Sequence, residues 1–205
     1  MILYLDTSSN YLYSGIINDD KLICEIKLNL NKDLSTYCVD KLDSMFKNNN
    51  ISVNDIEKII VCSGPGSFTG IRVGMSIAKI YAYCLNKNIS TIISLEAMKE
   101  SVISNLVKVP IIDARRGYVY AAAYKDDSVI ISPCYIKLED LKSKLNGLKY
   151  EFISNDNFDF LCTKYDPDIL RIVNKYKNNP LINPHFVEPT YFKLTEAEEN
   201  KNKGE

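Results

Sequence analysis

The stretch SGPGSFTGIRVG, Ser63 to Gly74, carries four of the chain's eight glycines and stands between a strand-like apolar run and a helix-like run. Strand, glycine turn and helix start make a generic anion cradle, because the first N–H groups of a helix lack partners and its dipole end is positive. Two specific phosphate chemistries can be tested on it. A Walker A loop counted from Gly64 needs glycine at Thr69 and lysine at Gly70, and both fail. The dinucleotide fingerprint fits Gly64 and Gly66 but meets Thr69 where its third glycine belongs, and no acidic residue follows at the expected strand end.

The helix that follows says more. At about 100° per residue, the apolar and small residues from Ile80 and Val73 through Gly70, Gly74 and Ala78 to Met75 cover an arc of roughly 220°. A helix on one sheet needs a stripe of only ~100°, so this one is expected to be covered on two sides. Gly70, Gly74, Ala78 and Ala82 form an i, i+4 row of the smallest side chains, which admits a close neighbour. That neighbour is either a subunit or a sister element of the same chain. Arg72, in the first helical turn, opposes the macrodipole by ~0.3 to 1 kcal/mol and calls for an anionic neighbour or solvent.

Other chemistries are thinly supplied. His185 is the single histidine, so a metal site of two histidines one helical turn apart cannot be built from this sequence. No G-x-S-x-G elbow presents a serine nucleophile. Six cysteines are spread without a C-x-x-C unit and read as buried reduced thiols. With 25 basic and 26 acidic side chains the net charge is -1, which gives no global pull toward nucleic acid or an anionic membrane. MILYLDTSS has no basic n-region or secretory h-region, and no apolar run nears the ~20 residues that span a bilayer, so a cytoplasmic protein with no membrane contact is expected.

Periodicity places these residues on elements. Three short antiparallel strands open the chain, followed by a helix from Asp33 to Lys47 with Leu34, Cys38, Leu42, Met45 and Phe46 at helical spacing and Asp33 or Ser35 to cap it. KIIVCS reads as a buried strand, Thr69 to Leu85 as a helix, STIISL as a strand, and Leu95 to Leu106 as a helix capped by Ser94. The pattern then repeats. Asp6 precedes Tyr11-Leu12-Tyr13 by five residues, as Asp113 precedes Tyr118-Val119-Tyr120, and both aspartates end an apolar strand before a polar turn. The order βββαβα recurs in the second half. The expectation is a duplicated α/β chain: an N-terminal unit at 1–107, a smaller C-terminal unit at 108–193, and a disordered tail at 194–205.

LYLDTSS, SGPGSFTGIRVG with the helix MSIAKIYAY, IIDARRGYVYAAAY and EPTYFK, in that order from Ile2 to Lys193, resemble the TsaB (YeaZ) family, and GPGSFTGIR is highly specific. The resemblance implies duplicated RNase H-like domains of the actin-like ATPase superfamily, each a mixed sheet with flanking helices. It implies a non-catalytic subunit that binds and activates a catalytic paralogue, TsaD, in making threonylcarbamoyladenosine at position 37 of tRNAs reading codons that begin with A. ATP and L-threonylcarbamoyl-adenylate then belong to the assembled complex, with a small ATPase subunit, TsaE, and with tRNA bound through the complex. No cofactor is intrinsic to this chain. Dimer contact is implied through the helices Leu34–Phe46 and Thr69–Leu85, which nominates Leu34, Leu42, Met45, Gly70, Ile71, Gly74, Met75, Ala78 and Ala82, and a homodimer is expected when the partner is absent. Family members often carry histidine where Leu34 stands.

The alternative is a self-sufficient actin-like ATPase or phosphotransferase. Asp6-Thr7-Ser8 resembles that superfamily's first phosphate loop, and Asp6, Thr7, Gly66, Ser67 and Arg72 are the candidates for residual phosphate or nucleotide contact. Against it, the duplicate loop DARRGYVY has two arginines and one glycine, and the chain has no Gly-Gly dipeptide for an adenosine-binding turn. The bland reading of both aspartates is an Asx-type turn. EPTYFK is expected to anchor the C-terminal segment.

Overall fold

The computed structural model describes residues 1–192; the expected tail at 194–205 and Lys193 lie outside the described residues. The first sheet contains β1 (Ile2–Asp6), β2 (Tyr11–Asn18), β3 (Lys21–Asn29), β4 (Lys58–Cys62) and β5 (Asn88–Ile92) in the order β3-β2-β1-β4-β5. The second contains β6 (Val107–Asp113), β7 (Tyr118–Lys125), β8 (Ser128–Lys137) and β9 (Tyr150–Ile153) in the order β8-β7-β6-β9. In each, the first strand pairs antiparallel with the second and parallel with the fourth. The two sheets are therefore copies of one topology, a duplicated RNase H-like α/β fold.

Central strands are apolar on both faces, and alternation sorts them. Leu3 and Leu5 of β1 face the helices α1 (Leu34–Asn48) and α2 (Phe68–Cys84), while Tyr4 faces the other way. There it meets α3 (Ser94–Glu100) and α5 (Ile169–Tyr176) in a cluster that also takes Ala122 and Tyr124 from β7. The alternate residues of the second sheet, Val109, Ile111, Val119 and Ala121, pack on α4 (Leu138–Lys144). The helices between the sheets are exchanged: α3 follows the first sheet but lies against β6 and β7, and α5 follows the second but lies against β1, β2 and β3.

Three local readings change. The third helix stops at Glu100 and does not reach Leu106, because Ser101-Val102-Ile103-Ser104 combines β-branched and hydroxyl residues that favour leaving the helix. Ser94 does not cap that helix; its Oγ donates to the Pro65 carbonyl at 2.5 Å. Neither Asp33 nor Ser35 supplies a side-chain cap to α1; Asp33 is the N-cap residue without such a bond. Among the described residues, no helix is long and apolar enough to cross a membrane.

Candidate functional site: two Asx turns and a glycine clamp

The strand β1 ends in Asp6, whose Oδ1 accepts from the Ser8 amide at 2.8 Å. In the duplicate, Asp113 Oδ1 accepts from the Arg115 amide at 2.8 Å. Both are Asx turns, made by the same atom on the residue two further along. Asp6 is almost wholly buried, and the hydroxyls of Tyr4 and Tyr165 approach its Oδ2 at 3.4 and 3.5 Å. Burial raises the carboxyl above its usual 3.8, with the Ser8 hydrogen bonds opposing.

This shift has a sign. A folded carboxyl with a raised pKa holds its proton while the unfolded one releases it, so its contribution to stability declines as pH rises from about 3.8 through the raised folded value. Asp6→Asn keeps an oxygen to accept from Ser8 and removes the charge. Its stability at neutral pH is expected to equal or exceed that of the wild type, with a flatter pH profile above the ordinary carboxyl value of 3.8, as read by urea unfolding. A loss of more than about 2 kcal/mol at pH 7 would mean that the ionised carboxylate is needed.

The glycine loop closes onto this turn. Ser67 donates its amide to the Ser8 carbonyl at 2.7 Å, and its Oγ caps α2 by accepting from the Gly70 amide at 3.2 Å. A Cβ on Gly66, whose φ is +154°, would lie 2.0 Å from the Ser8 carbonyl oxygen. One on Gly70 would lie 2.1 Å from the Thr7 carbonyl oxygen, and one on Gly74 2.2 Å from Thr7 Oγ1, which itself donates to the Gly70 carbonyl at 2.7 Å. The row of small residues therefore has its neighbour: the turn at Thr7, some sixty residues earlier in the same chain.

The structure turns the residues nominated for an interface inward. Leu42, Met45, Ile71, Met75, Ala78 and Ala82 are buried in the cluster between the first sheet and its helices, Leu34 is buried at the start of α1, and Gly70 and Gly74 are buried against Thr7. The wide apolar arc of α2 is filled by β1, β4, β5 and α1 of its own chain. What faces outward on the two helices is Arg72, Ser76, Ile80 and Tyr83 of α2, and Tyr37 and Val39 of α1.

A cleft of about 460 Å³ lies between the two turns, lined by Ser8, Ser9 and Asn10, by Gly66, Ser67 and Phe68 at the start of α2, and by Asp113, Arg115 and Tyr120 from the second half. Of the five phosphate candidates, only Gly66 and Ser67 line it. Asp6 and Thr7 are turned inward and committed to internal hydrogen bonds. Arg72 has no anion but faces solvent: its guanidinium stacks 3.7 Å from the centroid of the Phe68 ring, and its Nε donates to the Tyr191 hydroxyl at 3.2 Å. Sequence reasoning missed this cluster, although the i, i+4 spacing of Phe68 and Arg72 carries the signal.

The EPTYFK segment is anchored through Thr190. Thr190 donates its amide to the Ser63 carbonyl at 2.8 Å, and the two hydroxyls meet at 2.9 Å. His185 makes an edge contact with Tyr83, 5.0 Å between centroids, and Lys79 donates to the Val187 carbonyl at 3.1 Å. No group of three or more His, Cys, Asp or Glu able to hold a metal occurs among the described residues.

The duplicated sheets, the paired Asx turns and the clamped glycine loop define an RNase H-like protein of the actin-like ATPase class. The model of the family described as "TsaD: tRNA N6-adenosine threonylcarbamoyltransferase" matches residues 30–172. The chain is 28% identical to the tRNA threonylcarbamoyladenosine biosynthesis protein TsaB of Bacillus subtilis (strain 168), with 96% of each chain covered. It is 25% identical to TsaB of Buchnera aphidicola subsp. Schizaphis graminum, over 75% of this chain and 76% of that one. A solved structure of YeaZ from Pseudomonas aeruginosa superposes with a TM-score of 0.77 at 14% identity, covering 93% of this chain and 99% of the other, and so shares the fold. The chain belongs to the TsaD family of threonylcarbamoyltransferase-related proteins, on its TsaB/YeaZ branch.

Proposed function

We propose that this chain is a non-catalytic subunit of tRNA threonylcarbamoyladenosine synthesis, binding and activating a TsaD-type paralogue that modifies adenosine 37 of tRNAs reading codons that begin with A. The observation that carries the proposal is the internal commitment of the Asp6-Thr7-Ser8 turn. A phosphotransferase of this fold needs that aspartate and its neighbouring N–H groups at the cleft, whereas here the carboxyl, the Thr7 hydroxyl and the Ser8 carbonyl are all bonded within the chain. Gly66, Gly70 and Gly74 serve close packing against Ser8 and Thr7.

In this reading ATP and L-threonylcarbamoyl-adenylate are handled by the assembly, which includes the small ATPase subunit TsaE, and tRNA is held by the complex. The docking face is the outward side of α1 and α2, where Ile80, Tyr83 and Tyr37 stay exposed; a homodimer uses the same face when the paralogue is absent. Mixing the purified chain with the catalytic paralogue, read by size and mass, is expected to give a heteromeric complex with modification activity that neither has alone. Tight ATP binding with turnover by the isolated chain, and no complex, would replace this reading with the phosphotransferase alternative.

A further inference from the structure

A second cavity, of about 950 Å³, lies where the exchanged helices meet the second sheet, between the end of α3, β6, the turn joining β7 to β8, and the start of α5. One of its walls is Lys108, a residue only 7% exposed. Among the described residues its ammonium has no hydrogen bond and no ion pair, and it opens onto the cavity. Burial, the largest cause, and the nearby cations Arg171 and Lys99 lower its pKa, while Glu100 and Asp126 oppose the shift.

The other charges in the cavity are largely satisfied. Glu100 takes Arg171 Nε at 3.2 Å and Lys99 at 3.6 Å, Asp127 takes Lys175, and Asp168 caps α5 by accepting from the Arg171 amide at 3.0 Å. Asp126, held at φ +51° in the β7–β8 turn, has neither an ion pair nor a side-chain hydrogen bond among the described residues. It lies near enough to Lys108 to influence its proton but forms no ion pair with it. One free cation and one free carboxylate thus face a single cavity without neutralising each other.

We infer that this cavity binds a small zwitterion, an α-amino acid, whose carboxylate is received by Lys108 and whose ammonium is received by Asp126. A polyanion is disfavoured by the carboxylates of Glu100, Asp127 and Asp168 in the same walls, and a bare metal cation by Lys108 and Arg171. Ile103 and Leu170 supply apolar surface for a side chain. The inference does not depend on the docking function proposed above.

The test is calorimetric and NMR titration of the purified chain with glycine, L-alanine and L-serine, with acetate, methylammonium and phosphate as controls of single sign. The amino acids are expected to bind and to shift the amides of residues 104–108, 126–127 and 168–175. Lys108→Met and Asp126→Asn are each expected to weaken binding about tenfold or more, the scale of one lost charged contact. Without ligand, Lys108→Met is expected to unfold at the same or a higher temperature, because partial burial disfavours the charged amine that it removes. Acetate or phosphate binding as tightly as the amino acids, no response to any amino acid, or affinity unchanged in both variants would each overturn the inference.

Discussion

Gly70→Ala is expected to destabilise this chain by about 1 to 3 kcal/mol, the reverse of what helix propensity predicts. In an exposed helix the same change gains up to about 1 kcal/mol. Here the new methyl would sit 2.1 Å from the Thr7 carbonyl oxygen, which is backbone and cannot rotate away. Relief requires α2 to lift from the turn, which strains the Ser67–Ser8 bond at 2.7 Å and the Thr7–Gly70 bond at 2.7 Å. Gly74→Ala meets Thr7 Oγ1, a side-chain atom, so its cost falls when Thr7→Ala is added, whereas that change leaves Gly70→Ala uncorrected. Urea midpoints at unchanged m-value would measure both. A Gly70→Ala protein as stable as the wild type would show that the helix and the turn are not clamped.

The same contact shows where sequence reading reaches its limit. A helical wheel gives the width of an apolar arc but not the identity of what lies against it. The arc of α2 correctly signals two-sided cover, and the i, i+4 row correctly signals close approach. The approaching backbone belongs to Thr7, and nothing local to residues 63–85 encodes that distant partner. By contrast, the duplication was legible because Asp6 and Asp113 use one local device, a carboxylate bonded two residues ahead, and local devices leave spacing in the sequence. The exchange of α3 and α5 was not legible. Their apolar residues join one cluster that takes side chains from both sheets, and a helical pattern does not say which sheet a helix lies against. Arg72 illustrates the middle case: its unfavourable place in the first helical turn was visible, while the Tyr191 hydroxyl that meets it is 119 residues away.

Charge placed on the two sides of α2 is expected to separate docking from folding. Ile80 is 58% and Tyr83 65% exposed, whereas Ile71 is 1% and Met75 3% exposed. Ile71→Glu and Met75→Glu bury a carboxylate in an apolar cluster and are expected to cost about 4 kcal/mol or more, so any loss of partner binding would follow from unfolding. Ile80→Glu and Tyr83→Glu leave thermal unfolding near the wild type, within about 0.5 kcal/mol each, because both side chains already meet solvent. On the proposed docking face the same two variants weaken association with the catalytic paralogue by about a hundredfold, the scale of a hot-spot residue forced to desolvate a charge. Tyr83→Glu also removes the ring that meets His185, so Ile80→Glu is the cleaner probe. If Ile80→Glu folds normally and still assembles and activates its partner at wild-type concentrations, the outward side of α2 is not the contact, and the subunit must dock through another surface.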